Sequence, residues 1–216
     1  MVYCRVAVYF VSITKCSPSI FYMKKILLLV LLFPVPGVYA QKWEKNYDFV
    51  DNCVCGLAKV KKDGKIGYVN KQGVEIIKPQ YEEGLTFNEG YAAVKINNKW
   101  KYLDSTGKLV TQALYDDAYN FNNGLAVVVK NNLFGYINVS GEVVIPIGFS
   151  NAHGFFEGMA AAANEKGNWG YIDMKGNWII KPMYNFANNF ENGVARVMKG
   201  EKLYMGLMIQ LPFISI

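Results

Sequence analysis

Tyrosines 68, 102, 136 and 171 lie 34, 34 and 35 residues apart, and their surroundings recur in phase. A turn glycine follows each, at Gly73, Gly107, Gly141 and Gly176. A second aromatic comes next, at Tyr81, Tyr115, Phe149 and Tyr184, and a third at Phe87, Phe121, Phe155 and Phe190. Each row closes on a glycine, Gly90, Gly124, Gly158 or Gly193, that starts the next unit, and Gly56 starts the first. A fixed period of this length means stacked supersecondary units that cannot bury their apolar faces alone.

Within a unit, Ala92, Val94 and Ile96 alternate with Tyr91, Ala93 and Lys95, the pattern of a half-buried strand. Two turn residues follow: Asp63-Gly64, Asn97-Asn98 or Asn131-Asn132. Asn and Gly tolerate positive φ, so these read as hairpin turns of the primed type. The fourth unit has Asn164 to Asn168 instead, and its extra residue makes the last spacing 35. A second strand, such as Trp100-Lys101-Tyr102-Leu103, leads into an Asx-x-x-Gly turn, Asn70 to Gly73 or Asp104 to Gly107. There the Asx side chain bonds backbone amides while glycine takes the left-handed position. A third strand follows and is ended by Pro79, Pro146 or Pro182, with Ala113 at that place in the second unit. The rest of the unit lacks alternation and reads as a loop whose aromatics plug the gap between neighbours. The expected fold is all-β, a tandem array of ~34-residue three-stranded antiparallel meanders. An open, solenoid-like array is favoured and a propeller-like ring is the alternative.

The phrase Trp169-Gly170-Tyr171-Ile172-Asp173, then Ile179-Ile180-Lys181-Pro182, Tyr184, Phe190 and Glu191 to Val197, resembles the WG repeats of bacterial proteins, also called KWG. The resemblance covers residues 49–203. It implies an exported or cell-associated repeat protein, and it brings no family-wide catalytic residues. Ile66-Gly67 and Phe134-Gly135 depart from Trp-Gly, and Trp100-Lys101 loses the glycine.

Before the array stands an export signal. Met23-Lys24-Lys25 precedes the apolar run Ile26 to Phe33, then Pro34, Pro36 and Val38-Tyr39-Ala40. Cleavage after Ala40 would leave Gln41 first, and the apolar run is too short to span a bilayer. Residues 23–40 are thus read as a signal peptide, 1–22 as a non-native extension, and 41–48 as a polar lead-in. The array occupies 49–203, with four full units and a partial fifth. Residues 204–216 form an aberrant apolar tail; one frame over, codons for Leu203 to Met208 can restore the motif, as expected if a frameshift truncates a longer array.

Most of the net charge of +6 arises before residue 41, where four of the 23 basic residues and none of the 17 acidic ones lie, so the body carries only +2. The body has no clustered cations, which excludes a nucleic-acid footprint. Chemistry-bearing residues are sparse. Cys53 and Cys55 read as two strand thiols, too far apart in a strand for an easy disulfide and too few for a metal site. His153, the single histidine, lies in a connector without a nucleophile partner at motif spacing, and is assigned to the loop surface. Asp104 and Asp173 stand where other units have Asn70 and Asn138, so that place needs an Asx oxygen rather than a charge. Glu82-Glu83 and Asp116-Asp117 read as solvated pairs. Trp100 and Trp169 are assigned to packing and Trp178 is the expected exposed aromatic. No catalytic, cofactor-binding or metal residue is therefore nominated and no cofactor is expected. The expected role is an exported, non-catalytic scaffold for an unknown protein or glycan, not embedded in the membrane after signal cleavage. A structural assembly protein, or less favourably an envelope enzyme, is the alternative.

Overall fold

A computed structural model of the chain describes residues 42–200 and, in backbone alone, 202–208. The extension at 1–22, the leader at 23–40 and the last tail residues, 209–216, lie outside the described residues.

The sequence builds five small antiparallel sheets in tandem. The first contains β1 (Phe49–Val54), β2 (Leu57–Lys62), β3 (Lys65–Asn70) and β4 (Glu75–Tyr81) in that order. The second contains β5 (Glu83–Gly84), β6 (Tyr91–Ile96) and β7 (Lys99–Asp104). The third contains β8 (Asp117–Asn122), β9 (Leu125–Lys130), β10 (Leu133–Asn138) and β11 (Val143–Phe149). The fourth contains β12 (Asn151–Ala152), β13 (Met159–Ala163), β14 (Trp169–Asp173) and β15 (Trp178–Tyr184). The fifth contains β16 (Phe186–Ala187), β17 (Val194–Lys199) and β18 (Lys202–Met208). Among the described residues no pairing joins the first sheet to the last, so the array is open. The tail pairs with β17 through Met208, so the backbone keeps the hairpin where the sequence pattern is lost.

The central hairpins form as the pattern requires. Both turn residues have positive φ at Asp63-Gly64, Asn97-Asn98 and Asn131-Asn132, which identifies the primed turn. What closes each unit differs from expectation. Glu89-Gly90, Asn123-Gly124, Glu157-Gly158 and Asn192-Gly193 also have positive φ at both residues, so they are hairpin turns too. They fold the connector back onto the next sheet: Leu85 N–H donates to Ala93 O, and His153 N–H to Ala161 O, both at 2.9 Å. The connector expected to be a loop is thus a short strand at the edge of the following sheet. It escapes pattern reading because it spans as few as two residues, and because β8 is broken by a bulge between Ala118 and Phe121.

The interior strands are buried on both faces rather than half-buried. Ala93 packs with Tyr102 and Phe121 of the following interface, while Ala92 and Val94 pack with Tyr68 and Phe87 of the preceding one. Every residue of β13, Met159 to Ala163, is buried. That strand is largely alanine because two sheets press on it from opposite sides. Each apolar cluster therefore joins two successive units, as nearest-neighbour stacking demands.

The lead-in is more than polar spacer. Residues 42–56 follow the second half of a unit: Trp43 stands 34 residues before Ile77, and Tyr47 stands 34 before Tyr81. In later units the turn glycine lies against that third-strand residue, Gly107 on Ile77, Gly141 on Thr111 and Gly176 on Ile145. Gly73 lies on Trp43 in the same way. Trp43 and Tyr47, with Val50 and Cys53, cover the outer face of the first sheet at Ala58, Val60 and Val69. The short 3-10 turn Lys42–Asn46 carrying Trp43 thus acts as a cap.

Candidate functional site

The motif residues that most resemble a site turn out to build the frame. All four repeat tyrosines are fully buried. Each hydroxyl donates to the carbonyl seventeen residues on: Tyr68 to Leu85, Tyr102 to Tyr119, Tyr136 to His153 and Tyr171 to Asn188, at 2.6–2.7 Å. Those carbonyls sit beside the connector strand of the next sheet, so each tyrosine latches two units together. Its ring meets the phenylalanine of the connector that follows, tilted to edge-on, with centroids 4.8–5.1 Å apart. Burial raises all four phenols far above the usual tyrosine range, so each stays protonated and donating near neutrality.

The glycine of Trp-Gly has an equally mechanical cause. Opposite Gly67, Gly135 and Gly170 the third strand makes a bulge, with Tyr68 paired to Ile77 but Ile66 to Tyr81. A Cβ on Gly170 would lie 2.3 Å from Ile180 O and 2.9 Å from Pro182 N, and on Gly67 it would lie 2.6 Å from Ile77 O and Pro79 N. The prolines therefore lie inside β4, β11 and β15, at the bulge, rather than ending those strands. Pro146 stands one residue earlier than Pro79 and Pro182 relative to the turn glycine. The second unit has Lys101 instead of glycine and Ala113 instead of proline, and its third segment keeps only the isolated bridges Trp100 to Tyr115 and Leu103 to Leu109. Loss of the glycine, the proline and the strand goes together because the bulge needs the space.

The aspartates are turn caps, as their exchange with asparagine implied. Asp104 Oδ1 accepts from Thr106 N–H, Lys108 N–H and the Thr106 hydroxyl; Asn70 Oδ1 accepts from Gln72 and Val74 N–H. The Thr106 hydroxyl and the turn amides hold Asp104 below the usual carboxylate range, against a smaller opposing effect of burial. Because the unfolded chain binds that proton more tightly, this contribution is present above about pH 4 and is lost as pH falls through the folded value. Asp104→Asn keeps the acceptor, so at neutral pH stability is expected to change by less than about 0.5 kcal/mol. Its stability difference between neutral pH and roughly pH 3 should be smaller than that of the parent; denaturant midpoints at the two pH values check both.

The acidic pairs in the connectors are not merely solvated. Glu82 accepts from Asn97 and Asn98 N–H at 3.0 and 3.1 Å. Asp116 accepts from Asn131 N–H at 2.6 Å and pairs with Lys99. The Lys99 ammonium, then the Asn131 amide, pull the Asp116 carboxyl below its usual range. Glu83 pairs with Lys95 at 2.8 Å. Two further carboxylates reach across whole units: Glu89 accepts from Asn123 and Gly124 N–H, both at 2.8 Å, and Glu157 from Asn192 and Gly193 N–H, at 2.6 and 2.9 Å. These glutamates carry no motif signature beyond standing before the closing glycine.

Trp100 and Trp169 are buried in the inter-unit clusters, as expected of packing residues. Trp178 is not the exposed aromatic; it is half-buried with its ring edge-on to Phe149, 5.7 Å away, because the second aromatic of the unit before reaches it. Tyr119, with 45% of its surface open, presents more ring to solvent. Cys53 lies in β1 against the cap, whereas Cys55 is exposed in a turn at φ 51°, so only the first is a strand thiol. His153 is half-buried rather than on the loop surface, its ring tilted against Trp169 with centroids 4.8 Å apart. Burial holds its imidazole below the usual histidine range, partly offset by the Asn189 side chain. Among the described residues no cluster of three His, Cys, Asp or Glu side chains could hold a metal, and no helix is long and apolar enough to cross a membrane.

The connectors differ from one another at a half-buried edge, on which Tyr119 is the exposed member. The residues whose carbonyls accept from the tyrosines carry varied side chains, Leu85, Tyr119, His153 and Asn188, and so do those that follow them, Thr86, Asn120, Gly154 and Asn189. Tyr119, Asn151, His153, Gly154 and Asn189 line a cleft of about 380 Å³ there.

The WG containing repeat family model matches residues 66–100, 102–134, 134–168 and 169–202 in tandem. The chain belongs to the WG-repeat family. Comparison with curated proteins finds no match. Among solved structures it is similar to a eukaryotic initiation factor, at 12% identity and a TM-score of 0.48, over 71% of this chain and 49% of that one. KlHsv2 with loop 6CD replaced by a Gly-Ser linker matches at 12% and 0.47, over 67% and 56%. BamB from Moraxella catarrhalis matches at 12% and 0.41, over 71% and 56%. The WG chain spans about half the length of each, and no score reaches 0.5.

Proposed function

We propose that this WG-repeat chain is an exported, non-catalytic scaffold that holds a protein or glycan along its variable connector edge. One observation carries the reading. The residues that recur in phase are consumed by the frame: the tyrosine hydroxyls on carbonyls, the Asx oxygens on turn amides, the glycine beneath the bulge. The connector residues beside that frame differ from unit to unit instead, as Leu85, Tyr119, His153 and Asn188 do. That division, constant frame and varied edge, is how repeat proteins present binding surfaces. Export rests on the Met23 to Ala40 leader. The test is cell fractionation with N-terminal sequencing, then crosslinking from Leu85 and Tyr119 positions in intact cells. A mature chain starting at Gln41 outside the cytoplasm, crosslinked to one defined partner, is expected. A chain retained in the cytoplasm, or crosslinks no different from those of a cap position such as Tyr47, would overturn it.

A second reading, assembly between copies, is favoured by one feature. Ile76, Val144 and Ile179 occupy the same place on the outer strands and are each about two-fifths exposed. A row of this kind on edge strands is a surface for edge-to-edge pairing. Concentration-dependent growth in light scattering, suppressed by Val144→Lys, would support it.

A further inference from the structure

Successive connectors meet at a regular junction, and one junction is missing a side chain. At the first, the Thr86 hydroxyl donates to Asp51 Oδ2 at 2.9 Å. At the last, the Asn189 amide stands beside the His153 imidazole. At the third, Tyr119 has only Gly154 in the place of Thr86 and Asn189, and the cleft of about 380 Å³ opens there. Gly154 is not needed for a left-handed backbone, since it is absent from the positive-φ glycines. A Cβ on it would meet only side-chain atoms, Asn122 Nδ2 at 3.1 Å and Phe156 Cε2 at 3.6 Å. The backbone therefore does not demand glycine here, and its presence leaves that stretch of the cleft wall without a side chain.

The lining has a definite chemistry. Tyr119 offers an exposed ring face on one side. Asn151, His153 and Asn189 offer amide and imidazole donors and acceptors. The Asn189 side chain meets the His153 imidazole, which fixes both polar groups at the wall of the cleft. Burial keeps the imidazole uncharged near neutral pH, which leaves it one donor and one acceptor. No charged side chain lines the cleft; the carboxylate closest in sequence, Asp117, acts on the Tyr119 hydroxyl. An ion bound here would lose water without gaining a counter-charge. A flat apolar face beside several neutral hydrogen-bonding groups, in a volume at the small end of ligand sites, fits a sugar ring, whose C–H face packs on an aromatic while its hydroxyls both donate and accept.

We infer that the cleft between Tyr119 and His153 binds one uncharged sugar residue of a glycan. This rests on the scaffold reading and narrows it to one site and one ligand class. The open side of the cleft lets that residue belong to a longer chain.

The experiment is saturation-transfer NMR and titration on the full chain, using glucose, galactose, mannose and N-acetylglucosamine with their short oligomers, and glucuronic acid as the charged probe. Binding of a neutral probe, with glucuronic acid at least tenfold weaker, is expected. Gly154→Asn, which restores the residue found at Asn120 and Asn189, should reduce that binding at least tenfold without moving the unfolding midpoint. Tyr119→Ala should do the same by removing the platform, and it carries the test should the first variant fold poorly. Failure of every neutral probe, equal binding of glucuronic acid, or a neutral sugar held undiminished in both variants would overturn the site. The last outcome, or a defined protein crosslinked in cells, leaves the scaffold reading standing while the cleft falls.

Discussion

Gly170→Ala is expected to destabilise the chain by about 3 kcal/mol or more, an unusually large effect for one methyl group. The added Cβ would meet Ile180 O at 2.3 Å and Pro182 N at 2.9 Å, and both are backbone atoms. Flexible side chains yield to overpacking; a bulge held between pairs Trp169 to Tyr184 and Tyr171 to Ile180 does not. Gly67→Ala should behave alike, with contacts of 2.6 Å. The internal control is the second unit, where Lys101 already carries a Cβ and the facing segment keeps only isolated bridges. Lys101→Ala is expected within about 0.5 kcal/mol of the parent. Denaturant unfolding of the three variants checks the contrast, and equal losses at positions 101 and 170 would refute the steric explanation.

Tyr136→Ala should cost about 3–5 kcal/mol, the range for emptying a buried aromatic site. Its ring is wholly buried, packs on Phe155 at 4.9 Å and belongs to a cluster spanning two units. Tyr136→Phe keeps the ring and removes only the hydroxyl that reaches His153 O at 2.7 Å. That leaves a part-buried carbonyl without its donor, for an expected cost of about 1 kcal/mol. Unfolding curves for the pair separate packing from latch.

Much of this frame was legible in the sequence because repetition supplies its own comparison. Asp104 beside Asn70 and Asn138 reveals a turn cap, and the Asn-Asn pairs reveal primed turns, without any other protein. The family resemblance agreed with the tandem matches over residues 66–202. The connector strands were hidden because two-residue pairings leave no alternation to read. The glycine before three of the repeat tyrosines was visible as a motif, but its reason lies in a bulge ten to fourteen residues away, beyond the reach of local propensity. Trp43 as a cap could have been found by extending the 34-residue spacing backward from Ile77. The cleft had one signal, a glycine at position 154 where other units carry Thr86, Asn120 and Asn189. That signal meant nothing until the junction between units was known.

The central claim is that each tyrosine binds its own sheet to the connector of the next, so that the constant residues are spent on coupling neighbours. Native-state hydrogen exchange of Tyr136→Phe tests this most directly. Faster exchange is expected at Ser150 and His153 N–H, which pair with Ala163 and Ala161, and through the third and fourth sheets, with the first sheet unchanged. Exchange that rises only within the third sheet, or equally along the whole array, would contradict it.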